Sequence, residues 1–324
     1  MSSETKLASP SFLVSTSPHI RDNESIAHIM WHVNLALAPA ALFSVYVFGL
    51  PALMTMVLCI AAAVVTEFLI QKWQGKLVTV SDGSAFLTGL LLAMNIPATL
   101  PWYMAIIGSV VAIGIAKHTM GGLGYNIFNP ALIGRAFLLA SWPIAMTKWP
   151  AVGAAVDGVS SATPLGILKM QGYGQLVESY GSQGDLYQSL FFGFRGGSAG
   201  ETSVILLLLG GIYLIYRGYI NWQVPVTMIG TVAIVSWVTG GDPLLNMMAG
   251  GLMLGAFFMA TDMVTIPLTV KGQVIFALGA GLLVVLIRRV GGYPEGVCYA
   301  ILLMNAVTPL IDRVVKPIKF GAGR

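Results

Sequence analysis

The sequence predicts an all-α, polytopic membrane protein of about ten transmembrane helices, arranged as two inverted five-helix repeats. Three observations carry this expectation. Hydrophobic residues fill 56% of the 324 positions and charged residues only 9%, whereas a soluble domain needs roughly 25% charged residues to hydrate its surface. Apolar runs of the length that a bilayer core of about 30 Å demands recur along the chain. Short signatures of the first half also return in the second. The same composition excludes a disordered chain, a disulfide scaffold and a nucleic-acid binder, and the net charge of +4 is modest.

Residues 1–32 are polar, contain Ser9-Pro10 and Ser17-Pro18-His19-Ile20-Arg21, and lack the long apolar run of a cleavable signal. They are expected to form a cytoplasmic lead-in, with the first spanning helix as its own insertion signal. Spans are expected at 33–50, 51–71, 84–96, 99–116 and 127–147, making a first half over 33–147. The segment 148–201 interrupts the pattern with Asp157, Lys169, Glu178, Asp185, Arg195 and Glu201, and its glycines (Gly172, Gly174, Gly181, Gly184, Gly196, Gly197) mark irregular structure. The second half, 202–315, is expected to span at 202–217, 222–239, 244–260, 273–290 and 296–315, before a basic tail at 316–324.

Lys and Arg gather on the cytoplasmic side of membrane proteins. With the N-terminus inside, Lys6, Arg21, Lys72, Lys76, Lys117, Arg217, Lys271, Arg313, Lys316, Lys319 and Arg324 fall inside. Lys148, Lys169, Arg195, Arg288 and Arg289 fall outside, and Arg135 lies within a span. This predicts cytoplasmic termini and an extracytoplasmic 148–201 segment, with Arg288-Arg289 the main dissent.

Gly89-Leu90-Leu91-Leu92-Ala93 recurs as Gly251-Leu252-Met253-Leu254-Gly255, and Gly121-Gly122 with Asn126 and Asn129-Pro130 recurs loosely as Gly291-Gly292 with Asn305 and Pro309. An odd number of spans per half makes the second run opposite to the first. Transporter folds of this kind place their sites near the midplane, where helices break. The third span ends early at Asn95-Ile96-Pro97, and its counterpart ends at Ala260-Thr261-Asp262.

The most informative stretch for chemistry is Asp157-Gly158-Val159-Ser160-Ser161-Ala162-Thr163-Pro164-Leu165-Gly166. Read locally, Thr163 is a helix N-cap with Pro164 at the first helical position. The chemical alternative is a threonine hydroxyl esterified to a phosphate, an anion that a helix N-terminus favours. Gly121-Gly122-Leu123-Gly124 reads as a tight turn that needs positive φ, and as a source of backbone N–H groups for a polar ligand near Asn126 and Asn129. Neither a Walker A motif nor a strand-linked GxGxxG is present. Cys59 and Cys298 lie in apolar runs without a CxxC or a histidine at ligand spacing, so no metal site is expected.

A charge inside a span is costly unless paired. Arg135 is therefore expected to face the bundle or a bound anion. Glu67 is expected to pair with Lys72 or to snorkel, and Asp262 to join Thr261 and Asn95 in a midplane polar site. Asp262, Asn95 and Glu67 are the candidate ion-path residues. His32 and His118 read as interfacial.

Ser160-Ser161-Ala162-Thr163 resembles the flavinylation motif, Ser/Thr-Gly-Ala-Thr, of the Nqr and Rnf respiratory complexes. Ser17-Pro18-His19, Ala116-Lys117-His118, Gly121-Gly122-Leu123-Gly124, Asn126 through Ala131 and Phe258-Met259-Ala260-Thr261-Asp262 agree with it. Together they resemble the family of the Nqr B subunit and the Rnf D subunit over nearly the whole chain, least distinctively at 170–200. Ser161 stands where glycine is usual, and Pro164 follows the threonine directly.

The resemblance implies an electron-transfer subunit of a multisubunit translocase in the bacterial inner membrane, coupling ferredoxin/NAD redox chemistry to movement of H⁺ or Na⁺. It implies FMN joined through its phosphate to Thr163, with Ser160, Ser161 and Ala162 as the motif. A second, noncovalent riboflavin or flavin is also implied, with Asn126, Asn129 and Arg135 the first candidates to hold it. The implied partners are a flavin transferase, the flavin-bearing Rnf G subunit, the membrane-embedded Rnf A and E subunits, and the lipid bilayer. Without the resemblance, the residues suit a non-redox secondary transporter or channel for a small solute, or a passive anchor for other subunits. A flavin on Thr163 separates these classes.

Overall fold

A computed structural model describes residues 24–150 and 160–317 of the chain. The Ser17-Pro18-His19 stretch, Asp157-Gly158-Val159 and the tail from 318 lie outside the described residues.

Helix α1 (Ile26–Phe48) begins at Ser25, whose hydroxyl accepts from His28 N at 3.1 Å. Gly49 then reverses the chain at φ 69° into α2 (Leu50–Trp73). The next helix, α3 (Ser84–Asn95), stops where it does because Ile96 precedes Pro97. A proline pushes the residue before it out of helical geometry, and Ile96 is extended at φ −113°, ψ 160°. At 12 residues and 1.5 Å per residue, α3 reaches only about 18 Å, too short to cross a bilayer unaided. Helix α4 (Trp102–Val110) continues as a π-type segment, Val111–His118. Asn129 caps α5 (Pro130–Ser141) by accepting from Ala131 N at 3.1 Å and Leu132 N at 3.4 Å, and a short α6 (Pro143–Met146) follows.

The 148–201 segment departs from the expected irregular structure. Trp149 and Pro150 pair antiparallel with Ser161 and Ser160. Beyond this pairing stand two helices, α7 (Pro164–Tyr180) and α8 (Gln183–Phe192). Gly172, at φ 87° and ψ 174°, leaves helical geometry and divides α7 into two helical pieces, so the glycine signal holds there, whereas Gly174 and Gly184 lie within helical stretches. Leu165, Leu176, Leu186 and Leu190 supply the apolar face that packs this hairpin on Leu245 and Ala249.

The second half holds α9 (Val204–Tyr216), α10 (Gln223–Val238), α11 (Pro243–Met248), α12 (Leu252–Leu254) running into a π-type segment Gly255–Met259, α13 (Val270–Val290) and α14 (Val297–Val314). The expected span 244–260 is thus broken, at 249–251, where Gly250 takes φ 70°. Helices α1, α2, α13 and α14 are long and apolar enough to cross a membrane. α3, α4 with its continuation, α5, α9 and α10 are shorter apolar helices. Leu42, Leu53, Met54 and Val57 are exposed on the outside, as expected where lipid is the solvent and helices satisfy their own backbone.

In the first half α2 packs on α3 and α4, and α5 packs on α3 and α4. In the second, α10 packs on α11 and α13, while α14 packs on α13 and the 255–259 segment. The halves meet along α1 with α9 and α5 with α14. Lipid removes the hydrophobic drive between helices, so small residues set how closely backbones approach. A Cβ at Gly210 would sit 2.4 Å from the Ala36 carbonyl oxygen, so glycine there lets α9 lie against α1. Gly210→Val should lower stability by about 1–3 kcal/mol through overpacking. Thermal unfolding in detergent checks this, with Gly230→Val, where a Cβ meets open space, as the neutral comparison.

Candidate functional site

Thr163 caps α7: its Oγ1 accepts from Gly166 N at 3.1 Å while Ile167 N reaches Thr163 O at 2.9 Å. The side chain is buried. Ala162 before it is exposed, and Ser160 and Ser161 form the strand that meets Pro150 and Trp149. The four motif residues thus run from a short antiparallel pairing directly into a helix N-terminus.

The 148–201 segment, the 239–242 turn and the 291–296 turn share one end of the molecule. Lys169 Nζ donates to the carbonyls of Arg288 (3.3 Å), Gly291 and Tyr293 (3.1 Å). Tyr173 and Tyr187 both donate to Asp242 Oδ2, at 2.9 and 2.5 Å. Burial, together with the hydrogen-bonded carboxylate, pushes both phenols above the ordinary tyrosine range, so they stay neutral donors. Arg288, the charge that disagreed with the orientation rule, is buried and donates to Asn246 O at 2.6 Å and Ala249 O at 3.0 Å. It ties down the C-terminal end of α11 beside the break.

Arg135 faces the bundle interior. Its Nη1 donates to Asn95 Oδ1 at 3.1 Å and its Nη2 pairs with Glu295. Glu201 lies close to this pair, held by Ser198 Oγ at 3.0 Å, and its backbone carbonyl takes two N–H groups of the buried Arg195. Glu295 and Glu201 were not expected here. They sit in Tyr293-Pro294-Glu295-Gly296 and Ala199-Gly200-Glu201, turn-like stretches just before apolar runs. The one signal for them was the lone Arg135 itself, which needed an acid from another element.

Glu67 does not pair with Lys72, which instead lies exposed over the Phe68 ring. Its partner is Lys117, whose Nζ donates to both carboxylate oxygens at 2.9 and 2.7 Å and to Ser84 Oγ at 2.7 Å. The pair is buried, with side chains 2% and 1% exposed. His118 is buried, and both ring nitrogens lack hydrogen-bond partners among the described residues. His32 is part-buried and bonds Tyr213 Oη and His28 Nε2.

Asn95 and Asp262 fall into two places rather than one midplane site. Asn95 belongs with Arg135, and also reaches Met259 Sδ at 3.6 Å. Asp262 accepts from Val264 N at 3.3 Å and Thr265 Oγ1 at 3.4 Å, while Thr261 turns back to Phe257 O at 2.6 Å. Asp262 shares with Lys117, Asn126 and Asn129 a cavity of about 60 Å³. Gly121, Gly122 and Gly124 form the turn beside it, all at positive φ. Asn129 is spent on structure: besides capping α5 it donates to Met259 O at 3.4 Å, and its backbone N–H donates to Asn305 Oδ1 at 3.4 Å.

A family model described as the NQR2, RnfD, RnfE family matches residues 13–321. The chain is 61% identical to the D subunit of the proton-translocating ferredoxin:NAD(+) oxidoreductase complex of Clostridium ljungdahlii, covering 99% of both chains. It is 49% identical to the D subunit of the Na(+)-translocating ferredoxin:NAD(+) oxidoreductase complex of Acetobacterium woodii, covering 95% of both. It is 40% identical to the D subunit of the ion-translocating oxidoreductase complex of Stutzerimonas stutzeri, covering 92% of both.

Proposed function

The chain belongs to the NQR2, RnfD, RnfE family, and from that premise we propose that it is a membrane electron-transfer subunit of an Rnf-type complex coupling ferredoxin/NAD chemistry to ion movement. In this reading Thr163 carries FMN through a phosphoester, and the 148–201 segment lies outside the cytoplasmic membrane with both termini inside. The Rnf G, A and E subunits and a flavin transferase are the partners, and the moved ion is H⁺ or Na⁺. The ten-span inverted repeat is part of the reading. It draws support from matching helix contacts in the two halves.

The observation that carries the proposal is the Thr163 cap. Esterification removes the hydroxyl proton, yet the bond from Gly166 N uses Oγ1 only as acceptor, so the cap survives the modification. The phosphate would then sit at the N-terminus of the helical stretch 164–171, ahead of the break at Gly172, where the helix dipole stabilises an anion. Ser160, Ser161 and Ala162 lead to this hydroxyl along a strand that has to open before a transferase reaches it, since Thr163 is buried in the folded chain. Bound there, the flavin supplies the redox chemistry, while the protein supplies position and electrostatics.

A second, noncovalent riboflavin or flavin is part of the reading, with Asn126, Asn129 and Arg135 as the first candidates to hold it. Asn126 and Asn129 line a cavity of about 60 Å³, and Arg135 bonds Asn95 and Glu295. For ion movement, Asp262 in its polar cavity, Asn95 beside Arg135 and Glu67 with Lys117 are the candidate path residues.

Mass spectrometry of the peptide containing Thr163, from protein made in a transferase-competent host, tests the central bond. The expected result is an added FMN less one water. An unmodified peptide, without a flavin-fluorescent band on denaturing electrophoresis, would overturn the electron-carrier reading in favour of a permease.

A further inference from the structure

The turn Ala199–Glu201 is wedged between the two places where helices of the bundle break. It packs on α3, which stops at Asn95, and on α12, which starts after the break at 249–251. A Cβ at Gly200 would lie 2.7 Å from Met94 O and 2.5 Å from Leu254 Cδ2, so glycine there lets the turn sit between them. Glu201, 3% exposed, is thereby placed at the junction of the broken helices. Transporter folds bind the ion they move at such junctions.

Three buried arginines face Glu201, yet none donates to its carboxylate among the described residues. Arg195 gives Nε and Nη2 to the Glu201 main-chain carbonyl, Arg288 donates to Asn246 and Ala249, and Arg135 is taken by Asn95 and Glu295. Cys298 and Tyr180 are the other titratable groups beside the cluster. The donor that the Glu201 carboxylate does have is Ser198 Oγ, a neutral hydroxyl at 3.0 Å. One neutral bond does not offset taking a carboxylate out of water. The Glu295 carboxyl lies within hydrogen-bonding reach of it, and Glu295 Oε1 is buried without a donor among the described residues. Adjoining carboxylates disfavour each other's charge, so one of them keeps its proton. Carried on Glu201, that proton neutralises the acid no cation reaches and supplies the Glu295 carboxylate with a donor. Burial, with Glu295 beside it, holds the Glu201 carboxyl well above the ordinary glutamate range.

We propose that Glu201 and Glu295 hold one proton between them and form a proton-loading site of the ion path, at the end of the molecule that carries the 148–201 segment. The proposal rests on the ion-movement reading above. On loading, the Glu201 carboxylate takes H⁺ from water and forms its O–H bond; on release that bond breaks, leaving the carboxylate and returning H⁺ to water. No electron changes hands in either step. A cavity of about 30 Å³, lined by Arg135, Glu295 and Tyr293, adjoins the pair and exceeds the roughly 10–15 Å³ that one water needs. Tyr293 is exposed, so the cavity leads from the pair toward the surface.

Infrared difference spectra of the full chain in ester-free detergent, recorded between acid and alkaline pH in H₂O and in D₂O, test the proton directly. A protonated carboxyl has a carbonyl band of its own, which shifts in D₂O. The expected result is such a band in wild type, persisting above the pH at which exposed glutamates ionise. It is absent in Glu201→Gln and retained in Glu178→Gln, which alters an exposed acid. Glutamine matches the protonated acid in shape and can donate to Glu295 in the same way, so the fold is expected to survive in Glu201→Gln. Thermal unfolding adds a readout of definite sign. The folded chain keeps a proton that the unfolded chain releases, so wild type loses stability as pH rises from the ordinary glutamate range to the higher Glu201 value, and Glu201→Gln flattens that slope. In the assembled complex, Glu201→Gln loses the ion movement driven by electron transfer. A wild type without the band, or Glu201→Gln with it, overturns the shared proton. Ion movement intact in Glu201→Gln overturns the pair's place on the path. A wild-type complex that transfers electrons and moves no ion removes the ion-movement reading itself, and the path assignment with it, whatever the band shows.

Discussion

Thr163→Ala should abolish the covalent flavin completely while leaving a folded protein in the membrane. The two effects separate because they have different sizes. Losing an N-cap oxygen costs about 0.5–2 kcal/mol of local helix stability, and α7 is also held by Leu165, Leu176 and Leu186 on Leu245. Losing the Thr163 hydroxyl removes the oxygen through which the flavin is proposed to be held. Fluorescence under ultraviolet light after denaturing electrophoresis should fall to background, while the yield of detergent-soluble monomer stays near that of wild type. Electron transfer through the assembled complex should fall with the fluorescence. Thr163→Ser keeps both the oxygen and the cap, and should retain a measurable band. A band of wild-type strength in the alanine protein would move the attachment to another residue, and Ser160 and Ser161 are the nearest hydroxyl-bearing residues in sequence.

The membrane class was legible because composition answers to the solvent: 9% charged residues cannot hydrate a surface of this size. Helix ends were legible where a single residue dictates them, as at Ile96-Pro97 and at the Asn129-Pro130 cap. Pairing between elements was not. Glu67 lies five residues from Lys72 and fifty from Lys117, and sequence distance favoured the wrong partner. The true one follows from α2 packing on the π-type end of α4, which no local pattern encodes. The same holds for Arg135 and Glu295, 160 positions apart. In the 148–201 segment the glycines divide: Gly172 breaks α7 and Gly181 ends it, both at positive φ, yet Gly174 and Gly184 lie within helical stretches, because packing of their leucine neighbours outweighs a propensity cost of about 1 kcal/mol each. Motif residues fared better than paired ones: the Thr163 stretch is local, so its cap and helix start could be read directly.

Breaking the Glu67–Lys117 pair should give the largest loss of stability of any single change considered. Lys117→Met removes three donated bonds at once, two to Glu67 and one to Ser84 Oγ. It leaves a carboxylate 1% exposed with only Gln71 Nε2, at 3.2 Å, still donating to it among the described residues. Removing one member of a buried pair typically costs about 3–5 kcal/mol, because the other charge stays behind without compensation. Replacing both with apolar residues of similar volume is often close to neutral, since neither desolvation penalty then remains. Lys117→Met should therefore lower the unfolding temperature in detergent sharply, and adding Glu67→Leu should recover most of it. That recovery would mark the pair as scaffold, and ion-coupled electron transfer in the double variant then decides Glu67's second role. If stability returns and ion movement does not, Glu67 carries the ion as well as the fold. If both return, the path runs through Asp262 or Asn95. A double variant as unstable as the single one would mean that Ser84, Gln71 and Thr79, which converge on the same spot, depend on the charges for their own arrangement.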